Sequence, residues 1–386
     1  MDVLMECCCG LDVHKDMVEA CIIQGWLEDP SIYREQFGTN RKELSRLVRW
    51  LMEHECYHIA MESTGIYWRS VYEVIEEQAP RWDCLLVVNA RHMRNLPGRK
   101  SDVKDAEWIA TLLRHGLLEH SYIPEKAIRD LREFSRLRRV LVQEKHRHIN
   151  RLEKFLQTHG FRLSSVLSDM LCVSGRKLLN TLAQTGKLTP EDVLEAAGRR
   201  LKRPLEEVSE AVCGSLTHAQ QSLLQLLLKR LAQDEEDLAY IDQEMALISA
   251  PYFREMELLD SVPGIDILAA TTILAELGPA PQKSFASPQH LTSWAGLVPR
   301  NDESAGKVKS RRILPGNPYL KVILCQVAWI AVRVRGSRFH AWFWSHQGRL
   351  GRKKAIIAVA RKILILIYRL LERDQLYDPN YSSAPA

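Results

Sequence analysis

The sequence predicts an amino-terminal α/β domain followed by a mainly helical remainder, and three observations predict this class. Strand-like apolar runs alternate with amphipathic helical segments over the first 120 residues. The periodicity is almost entirely helical from residue 124 to about residue 252, and apolar helical segments mixed with a dense basic block follow. We therefore expect three domains: an α/β domain at 1–124, a helical coiled-coil or bundle region at 125–252, and a mainly α-helical domain at 253–386.

The first domain begins with three strand-like runs, "CCCGLDV", "MVEACIIQ" and "SIYREQFGT". A helix with an asparagine N-cap, "NRKELSRLVRWLMEH", leads to the strand "YHIAMES", the helix "IYWRSVYEVIEEQ" and the strand "DCLLVVNA". A further helix lies within "PGRKSDVKDAEWIATLLRHG". Three strands followed by alternating helices and strands is the order of a ribonuclease H-like fold, although the alternation alone indicates only an α/β domain.

Four carboxylates occupy unusual positions in these elements. Asp12 ends an otherwise apolar first strand, and Glu62 ends the strand "HIAME". Central strands bury both faces, so a carboxylate there needs a partner or a metal. Asp102 and Asp105 lie at the start of the last helix, on or beside the face expected to pack inward, whereas the same periodicity places Arg114 on the outer face.

Two interpretations of this set are open. In the first interpretation the carboxylates are structural. Asp102 and Asp105 cap a helix, and Asp12 caps the "HKD" turn. Glu62 ends a strand with its carboxylate hydrogen-bonded to a partner in the protein. Alternatively, carboxylates three apart on a helix have Cβ atoms about 5–6 Å apart. That separation suits two divalent ions about 3.5–4 Å apart. Because four carboxylates fall on three converging elements, we favour a hard, oxygen-rich site for Mg²⁺ or Mn²⁺.

The charge distribution indicates a nucleic-acid partner. The net charge is +5, but residues 300–373 contain 17 lysines and arginines against three acids, whereas residues 206–260 contain 12 acids and three bases. A single basic block of this density is typical of a surface that binds a polyanion. A merely solvated helix face usually mixes charges of both signs, so we favour nucleic acid.

The middle and last regions contain two further patterns. An antiparallel coiled coil or bundle is predicted by the amphipathic segments "EKAIRDLREFSRLRRVLVQEKHRHINRLEKFLQTHG" and "AQQSLLQLLLKRLAQDEEDLAYIDQEMALI". We favour packing or dimerisation as the role of these helices. Arginines on the first helix are also compatible with contact to nucleic acid. The segment "LLDSVPGIDILAATTILAELG" places a Pro-Gly turn between apolar helical segments, as helix–hairpin–helix modules do. Such a turn can present backbone N–H groups to a phosphate, although any helical hairpin can contain Pro-Gly.

Other features predict a cytoplasmic protein without a membrane segment. The start "MDVLMECCCG" has no basic region followed by an apolar one, so we expect no signal peptide. The stretch "AIIAVARKILILIYRLL" is too short and too charged to span a bilayer. The nine cysteines form no C-x-x-C pair and show no zinc-ligand spacing.

The motifs occur in a recognisable order: "GLDVHKD" with Asp12, "AMESTGIYW" with Glu62, and "KSDVKDAEWIATLLRHGLL" with Asp102 and Asp105. The segments "SVPGIDILAATTILAELG", "LTSWAGLVPRNDESAGK" and "NPYLKVIL" follow in the last third. Over nearly its whole length, the chain closely resembles the DEDD transposases of insertion-sequence family one-hundred-ten.

This resemblance implies a transposase, a site-specific DNA recombinase. It implies an amino-terminal domain similar to a Holliday-junction resolvase (RuvC-like), binding Mg²⁺ through the four acids. It also implies a carboxy-terminal domain whose serine nucleophile corresponds to Ser304. The implied partners are donor and target DNA, a noncoding bridge RNA that pairs with both, and further copies of the chain, as a dimer or tetramer with composite sites.

The serine motif departs from the common pattern of the resembled family, which is Ser-Ser-Gly-Gly, because this chain reads Glu-Ser-Ala-Gly at 303–306. The single serine makes the assignment to Ser304 less ambiguous, with Ser310 as the alternative, and one glycine fewer affects loop flexibility. The basic residues expected to contact nucleic acid follow the serine or lie later in the basic block: Lys307, Lys309, Arg311, Arg312, Arg352 and Lys353.

No His-Asp pair stands beside Ser304 in the sequence, so activation of its hydroxyl by a metal is expected, which requires the two domains to meet. Two other classes of function stay open. One is a hydrolytic, resolvase-like nuclease in which the acids act alone through metal-bound water. The other is a non-enzymatic DNA-binding protein whose carboxylates are caps and strand ends.

Overall fold

The computed structural model describes residues 3–26, 29–63, 65–78, 82–89, 105–197, 204–299, 302–304, 307–310 and 312–379. Of the residues predicted to act in the site or to bind nucleic acid, Asp102 and Arg311 lie outside these ranges. The chain forms two compact units, Met1–Ile123 and Pro124–Ala386.

The first unit is an α/β structure. Its described elements are β1 (Cys7–Val13), β2 (Met17–Gln24), β3 (Ser31–Gly38), α1 (Arg41–Glu53), β4 (His58–Glu62), α2 (Trp68–Gln78), β5 (Cys84–Val88) and α3 (Asp105–Arg114). The strands form one sheet in the order β3-β2-β1-β4-β5. Strands β1, β2 and β3 are antiparallel neighbours, whereas β4 runs parallel to both β1 and β5. The predicted α/β class of this region is confirmed.

The two faces of the sheet are covered by different helices. Alternate residues of β1, including Cys9 and Leu11, belong to the core that contains the buried faces of α1 and α2. Cys8, on the opposite face, packs with Ile109 and other apolar residues of α3. Helix α1 begins where predicted, because the Asn40 side chain accepts a hydrogen bond of 3.0 Å from the Glu43 backbone N–H.

The prediction for the end of α3 was wrong at Arg114, which was placed on the outer face. Arg114 is only 3% exposed, and its guanidinium donates to the Gly25 carbonyl oxygen. The backbone N–H of Leu4 donates to the Arg114 carbonyl oxygen at 3.0 Å, so the segment before β1 covers the last turn of the helix. This contact is long-range, and helical periodicity within α3 cannot report it.

The second unit is mainly helical. Its described α-helices are α4 (Lys126–Thr158), α5 (Leu163–Val166), α6 (Val173–Thr185), α7 (Pro190–Ala197), α8 (Leu205–Val212), α9 (His218–Ser249), α10 (Phe253–Asp260), α11 (Ile267–Leu277), α12 (Pro288–Trp294), α13 (Pro318–Ala331), α14 (Arg338–Leu350) and α15 (Arg352–Arg373). Two short antiparallel strand pairs accompany them: β6 (Lys187–Leu188) with β7 (Gly214–Ser215), and β8 (Asp302–Ser304) with β9 (Lys307–Ser310).

The long helices α4 and α9 pack against each other in antiparallel orientation. Lys145 lies 2.9 Å from Glu235, and His148 Nδ1 lies 2.6 Å from Asp234. Just beyond the end of α4, the His159 ring is 3.1 Å from the Gln220 amide. The partner numbers fall along α9 as the residue numbers rise along α4, so the helices run in opposite directions. The core beside this pair includes the buried residues Leu152, Leu156, Leu224 and Leu231.

Helices α10 and α11 pack against each other around the Pro-Gly turn. Gly264 has φ +90°, and a Cβ there would lie 2.9 Å from the Ala331 N and the Val327 carbonyl oxygen of α13. This position therefore requires glycine. Asp266 caps α11 by accepting from the Ala269 N–H at 2.7 Å. Among the described helices of the chain, none is long and apolar enough to cross a membrane.

Candidate active site

The first pair of predicted acids lies on neighbouring strands. Strand β1 pairs in parallel with β4, with Leu11 opposite Met61, so Asp12 and Glu62 are the next residues along each strand. Cys8 of β1 and Ala60 of β4 belong to the core under α3. Since side chains alternate along a strand, Asp12 and Glu62 face the side of the sheet that α3 covers.

A glycine brings α3 close to this end of the sheet. A Cβ at Gly10 would lie 2.1 Å from the Ala106 carbonyl oxygen and 2.4 Å from the Ala110 N, so only glycine permits this approach. Gly10 is two residues before Asp12, and Ala106 directly follows Asp105. The close packing of β1 and α3 therefore places Asp105 at the same end and face of the sheet as the strand acids.

The expectation for the orientation of Asp105 needs correction. Asp105 was expected on or beside the inward face of the helix, but it is exposed, and the buried stripe begins one residue later with Ala106. Asp105 is the first residue of α3, beyond the part of the helix that packs on the sheet. Its negative charge in the first turn also interacts favourably with the helix dipole.

The acids influence one another electrostatically. Burial raises the pKa of the Asp12 carboxyl above its ordinary value; His14 opposes this shift, and the negative charges of Asp105 and Glu62 add to it. The side chain of Asp12 is 14% exposed, and His14 Nε2 lies 3.0 Å from its Oδ2. Asp12 is thus partnered by His14, a contact that was not predicted from the sequence. The signal was the i, i+2 spacing, which places both side chains on one face of the chain.

A further carboxylate adjoins the site and was also missed. Glu19 of β2 is the direct cross-strand partner of Asp12 in the antiparallel register. Like charges opposite each other on one sheet face repel. The pairing register, which depends on the β1–β2 turn, is what brings Glu19 beside Asp12.

The chemistry of these donors suits a divalent cation, but their spacing does not form a closed site. Within the described ranges, no three His, Cys, Asp or Glu side chains lie close enough together to hold a metal ion. Asp12, Glu62 and Asp105 supply hard oxygen donors, the type that Mg²⁺ and Mn²⁺ prefer. A cation among them would also offset the repulsion that Asp12 experiences.

The predicted nucleophile lies in the second unit. Strands β8 and β9 form an antiparallel hairpin in which Ser304 pairs with Lys307, so Ser304 is the last residue of β8 before the turn. The alternative serine, Ser310, ends β9 opposite Asp302. The two described strands on either side of positions 305 and 306 form a short antiparallel pair.

The base of this hairpin is closely packed. Pro299 and Ile313 form an antiparallel bridge outside the two strands. A Cβ at Gly316 would lie 2.3 Å from the Gly296 N, and both glycines have positive φ. Lys321 Nζ donates to the Leu314 carbonyl oxygen at 3.2 Å. The segments on either side of the serine hairpin are therefore held together at their ends.

A buried ionic network lies beside this base. Glu276 is fully buried, and its carboxylate accepts from Arg136 Nε and Nη2 at 2.8 and 2.9 Å and from Asn317 Nδ2 at 2.7 Å. Asn317 also caps α13, accepting from the Tyr319 N–H at 3.0 Å. The network joins α4 and α11 to the start of α13. Its sequence signal was the single acid inside the otherwise uncharged run "AATTILAELG".

The basic residues predicted to bind nucleic acid lie on two segments of the second unit. Lys307 and Lys309 belong to β9, and Arg312, which follows that strand, is exposed. Arg352 and Lys353 are exposed in the first turn of α15. The exposed side chains among them can contact a polyanion from solvent, which is the kind of partner that the charge pattern predicts.

Comparisons with known proteins agree with these features. A DEDD-type IS110 family model, described as a transposase, matches residues 9–160, and a second model, described as Transposase IS116/IS110/IS902 family, matches residues 256–343. The transposase for insertion sequence element IS1111A of Coxiella burnetii is 23% identical over 377 residues, covering 95% of this chain and 90% of that protein.

Two further relatives are informative. A probable family 20 transposase of Pseudomonas aeruginosa is 25% identical, covering 73% of this chain and 75% of its own length. A pilin gene-inverting protein of Moraxella bovis is 30% identical over 125 residues, covering 31% of this chain and 38% of its own length. On these matches, the chain belongs to the IS116/IS110/IS902 family of transposases.

Proposed function

We propose that this transposase is a site-specific DNA recombinase that exchanges strands with a metal-binding acidic site and a serine nucleophile, guided by a noncoding bridge RNA. Donor and target DNA are its substrates. A relative named for inverting a pilin gene supports a recombination reaction rather than simple cleavage.

The observation that carries the proposal is the juxtaposition of three acids at one end of the sheet. Asp12 and Glu62 follow paired residues of β1 and β4, and the contact between Gly10 and Ala106 brings Asp105 to the same face. We assign the fourth position to Asp102 on the strength of the family motif. A purely structural role does not require three carboxylates of like charge on one face.

In this proposal, Asp12, Glu62, Asp102 and Asp105 hold Mg²⁺ or Mn²⁺. The bound ion would neutralise negative charge on the scissile phosphate and favour ionisation of an attacking hydroxyl. His14, which contacts Asp12 at 3.0 Å, would orient that carboxylate.

Ser304 supplies the nucleophile. Its Oγ attacks the phosphorus and loses its proton, while the bond from phosphorus to the leaving deoxyribose oxygen breaks and that oxygen takes up a proton. A hydroxyl of the second DNA then attacks the phosphoserine, which forms the new phosphodiester and restores the serine. No bond energy is lost to water, so strands are exchanged rather than cut. Lys307, Lys309, Arg311 and Arg312 would contact the phosphate.

The fold supports the same proposal. The strand order β3-β2-β1-β4-β5, with three antiparallel strands and two parallel ones, supports a ribonuclease H-like domain at 1–124. The antiparallel pairing of α4 and α9 supports a coiled coil within 125–252, and the α10–α11 pair supports a helix–hairpin–helix element in the domain at 253–386. We further propose a cytoplasmic homo-oligomer, a dimer or tetramer, whose site is composite.

Strand exchange between donor and target DNA tests the proposal, assayed with Mg²⁺ and with RNA extracted from the purified protein and identified by sequencing. Asp12→Asn and Glu62→Gln should abolish joining, whereas Glu107→Gln, on the same helix as Asp105 but paired with Arg34 at 2.6 Å, should keep it. Removing the RNA should also abolish joining. Metal-dependent cutting without joining would instead establish the hydrolytic nuclease.

A further inference from the structure

Two tryptophans lie on a common surface of the last region. Trp329 of α13 is 40% exposed and Trp344 of α14 is 53% exposed. Both rings contact the buried ring of Phe343, at centroid distances of 6.0 and 5.6 Å. Ile330, next to Trp329 in the chain, and Val334, four residues later, are also exposed. We call Trp329, Ile330, Val334 and Trp344 the aromatic surface.

Trp342, two residues before Trp344, provides a contrast. Its ring is stacked on His346 at 4.2 Å with an interplanar angle of 11°, and Lys362 Nζ lies 5.1 Å from its centroid. The faces of Trp342 therefore already have partners within the protein. The large exposed fractions of Trp329 and Trp344 leave indole surface for an external planar group.

The charge around the aromatic surface indicates what kind of partner it binds. No aspartate or glutamate occurs between positions 304 and 371 of the sequence. Arg333 lies four residues after Trp329 and is exposed, as are five further cations: Arg335, Arg349, Arg352, Lys353 and Lys354. None of these six forms an ion pair with a carboxylate of the described chain. A second copy of the same surface would bring like charges together, whereas a polyanion would neutralise them.

We propose that the aromatic surface binds unpaired bases of a single-stranded nucleic acid, with the bases stacked on Trp329 and Trp344 and the phosphates beside Arg333. Planar rings next to cations are the combination that single-strand binding requires, and stacking tolerates any base sequence. This inference rests on the proposed nucleic-acid function and adds a site that the acids and Ser304 do not include.

The test is binding of labelled single-stranded oligo-dT and oligo-U, measured by fluorescence anisotropy in EDTA so that no catalysis takes place. Trp329→Ala and Trp344→Ala should each weaken binding about ten-fold. Trp344→Phe should restore most of the affinity, because a stacking ring remains. Trp26→Ala is the matched control, since Trp26 is 63% exposed but lies in the first unit, and it should bind like wild type.

Two further measurements separate the alternatives. Neither tryptophan variant should change the slope of log affinity against log salt, because no charge is removed, whereas Arg333→Gln should make it shallower by about 0.7 on a single strand. Comparison of oligo-dT with oligo-U identifies whether DNA or RNA is preferred. Loss of the contact between Trp329 and Phe343 could lower the melting temperature of Trp329→Ala. In that case, single-strand binding by Trp344→Gln is the test of the proposal.

Unchanged single-strand affinity in the Trp344 variants would overturn the inference. So would an equal loss on duplex DNA, which has no free bases to stack, or a loss accompanied by a fall in molecular mass, which would identify the surface as an interface between copies. Failure of the proposed catalytic function leaves this result unaffected, because binding is measured without metal.

Discussion

Gly10 and Ala106 are in closer contact than any residue with a side chain at position 10 would allow. A Cβ at Gly10 would lie 2.1 Å from the Ala106 carbonyl oxygen. This contact lets α3 lie directly on β1, and it determines where Asp105 stands relative to Asp12. The site therefore depends on a residue that has no functional group.

Gly10→Ala tests this dependence. The added methyl group must displace α3, so we expect a loss of about 1–3 kcal/mol in the free energy of unfolding, together with loss of strand exchange. Gly348→Ala is the control, because a Cβ there meets nothing within 4 Å and the position is within a helix, where alanine should stabilise by up to about 1 kcal/mol. Urea unfolding measures both. A Gly10→Ala protein of wild-type stability would show that the contact is looser than described.

Asp12→Asn should stabilise the protein near neutral pH while abolishing activity. The folded-state pKa of Asp12 is raised, chiefly by burial and also by the charges of Asp105 and Glu62. Its contribution to stability is therefore fully present below the unfolded pKa and is lost as the pH rises through the folded pKa. The ionised carboxylate is the less favourable form, and asparagine removes it.

Thermal unfolding of the wild-type protein and of Asp12→Asn, measured at a series of pH values from acid to neutral, tests this prediction. The variant should unfold at a higher temperature than wild type near neutral pH, and the difference should disappear in acid. Asp16→Asn, an exposed residue of the β1–β2 turn, serves as the control and should change little. A variant less stable than wild type near neutral pH would mean that the contact with His14 outweighs burial.

The sequence allowed the α/β class and the strand and helix order to be predicted, because hydrophobic periodicity and caps such as Asn40 are local. It also placed Asp12 and Glu62 at strand ends. Contacts that depend on strand register and on packing between distant segments could not be predicted from the sequence. The opposition of Asp12 and Glu19 depends on the β1–β2 register, and the burial of Arg114 depends on the segment before β1.

The second unit shows the same limit. Lone acidic residues inside apolar runs signal buried polar groups, but the sequence did not indicate that Glu276 would meet Arg136, which lies 140 positions earlier in the chain. The aromatic surface was likewise not predicted. Charge alone indicated a nucleic-acid partner, and exposure of Trp329 and Trp344 became apparent only in three dimensions.

Glu276→Gln should destabilise the second unit strongly. The change removes the charge that compensates the partly buried Arg136, and breaking such a pair costs about 3–5 kcal/mol. Glu235→Gln is the matched control: Glu235 pairs with Arg176 and Lys145, but its side chain is 30% exposed, so the loss should be about 1 kcal/mol or less. Equal losses in the two variants, measured by urea unfolding, would show that burial of Glu276 does not matter.

Affinity for duplex DNA should fall steeply with salt, with a log–log slope of roughly −0.9 for each phosphate contacted. Neutralising Arg312, Arg352 and Lys353 should make the slope shallower, because each exposed cation releases counterions on binding. Arg254→Gln, whose charge is paired with Asp374 at 2.6 Å, is the control. A slope that does not change in the triple variant would mean that these residues do not contact the DNA.

The covalent protein–DNA adduct tests the central claim most directly. A nicked suicide substrate should trap wild-type protein through a phosphoserine that survives denaturation, and mass spectrometry should locate it at Ser304. Ser304→Ala should form no adduct yet still bind DNA, and Asp105→Asn should also form none, because the hydroxyl is not activated without the metal. An adduct that persists in Ser304→Ala would assign the role to Ser310, and metal-dependent cutting by wild type without any adduct would contradict the serine mechanism.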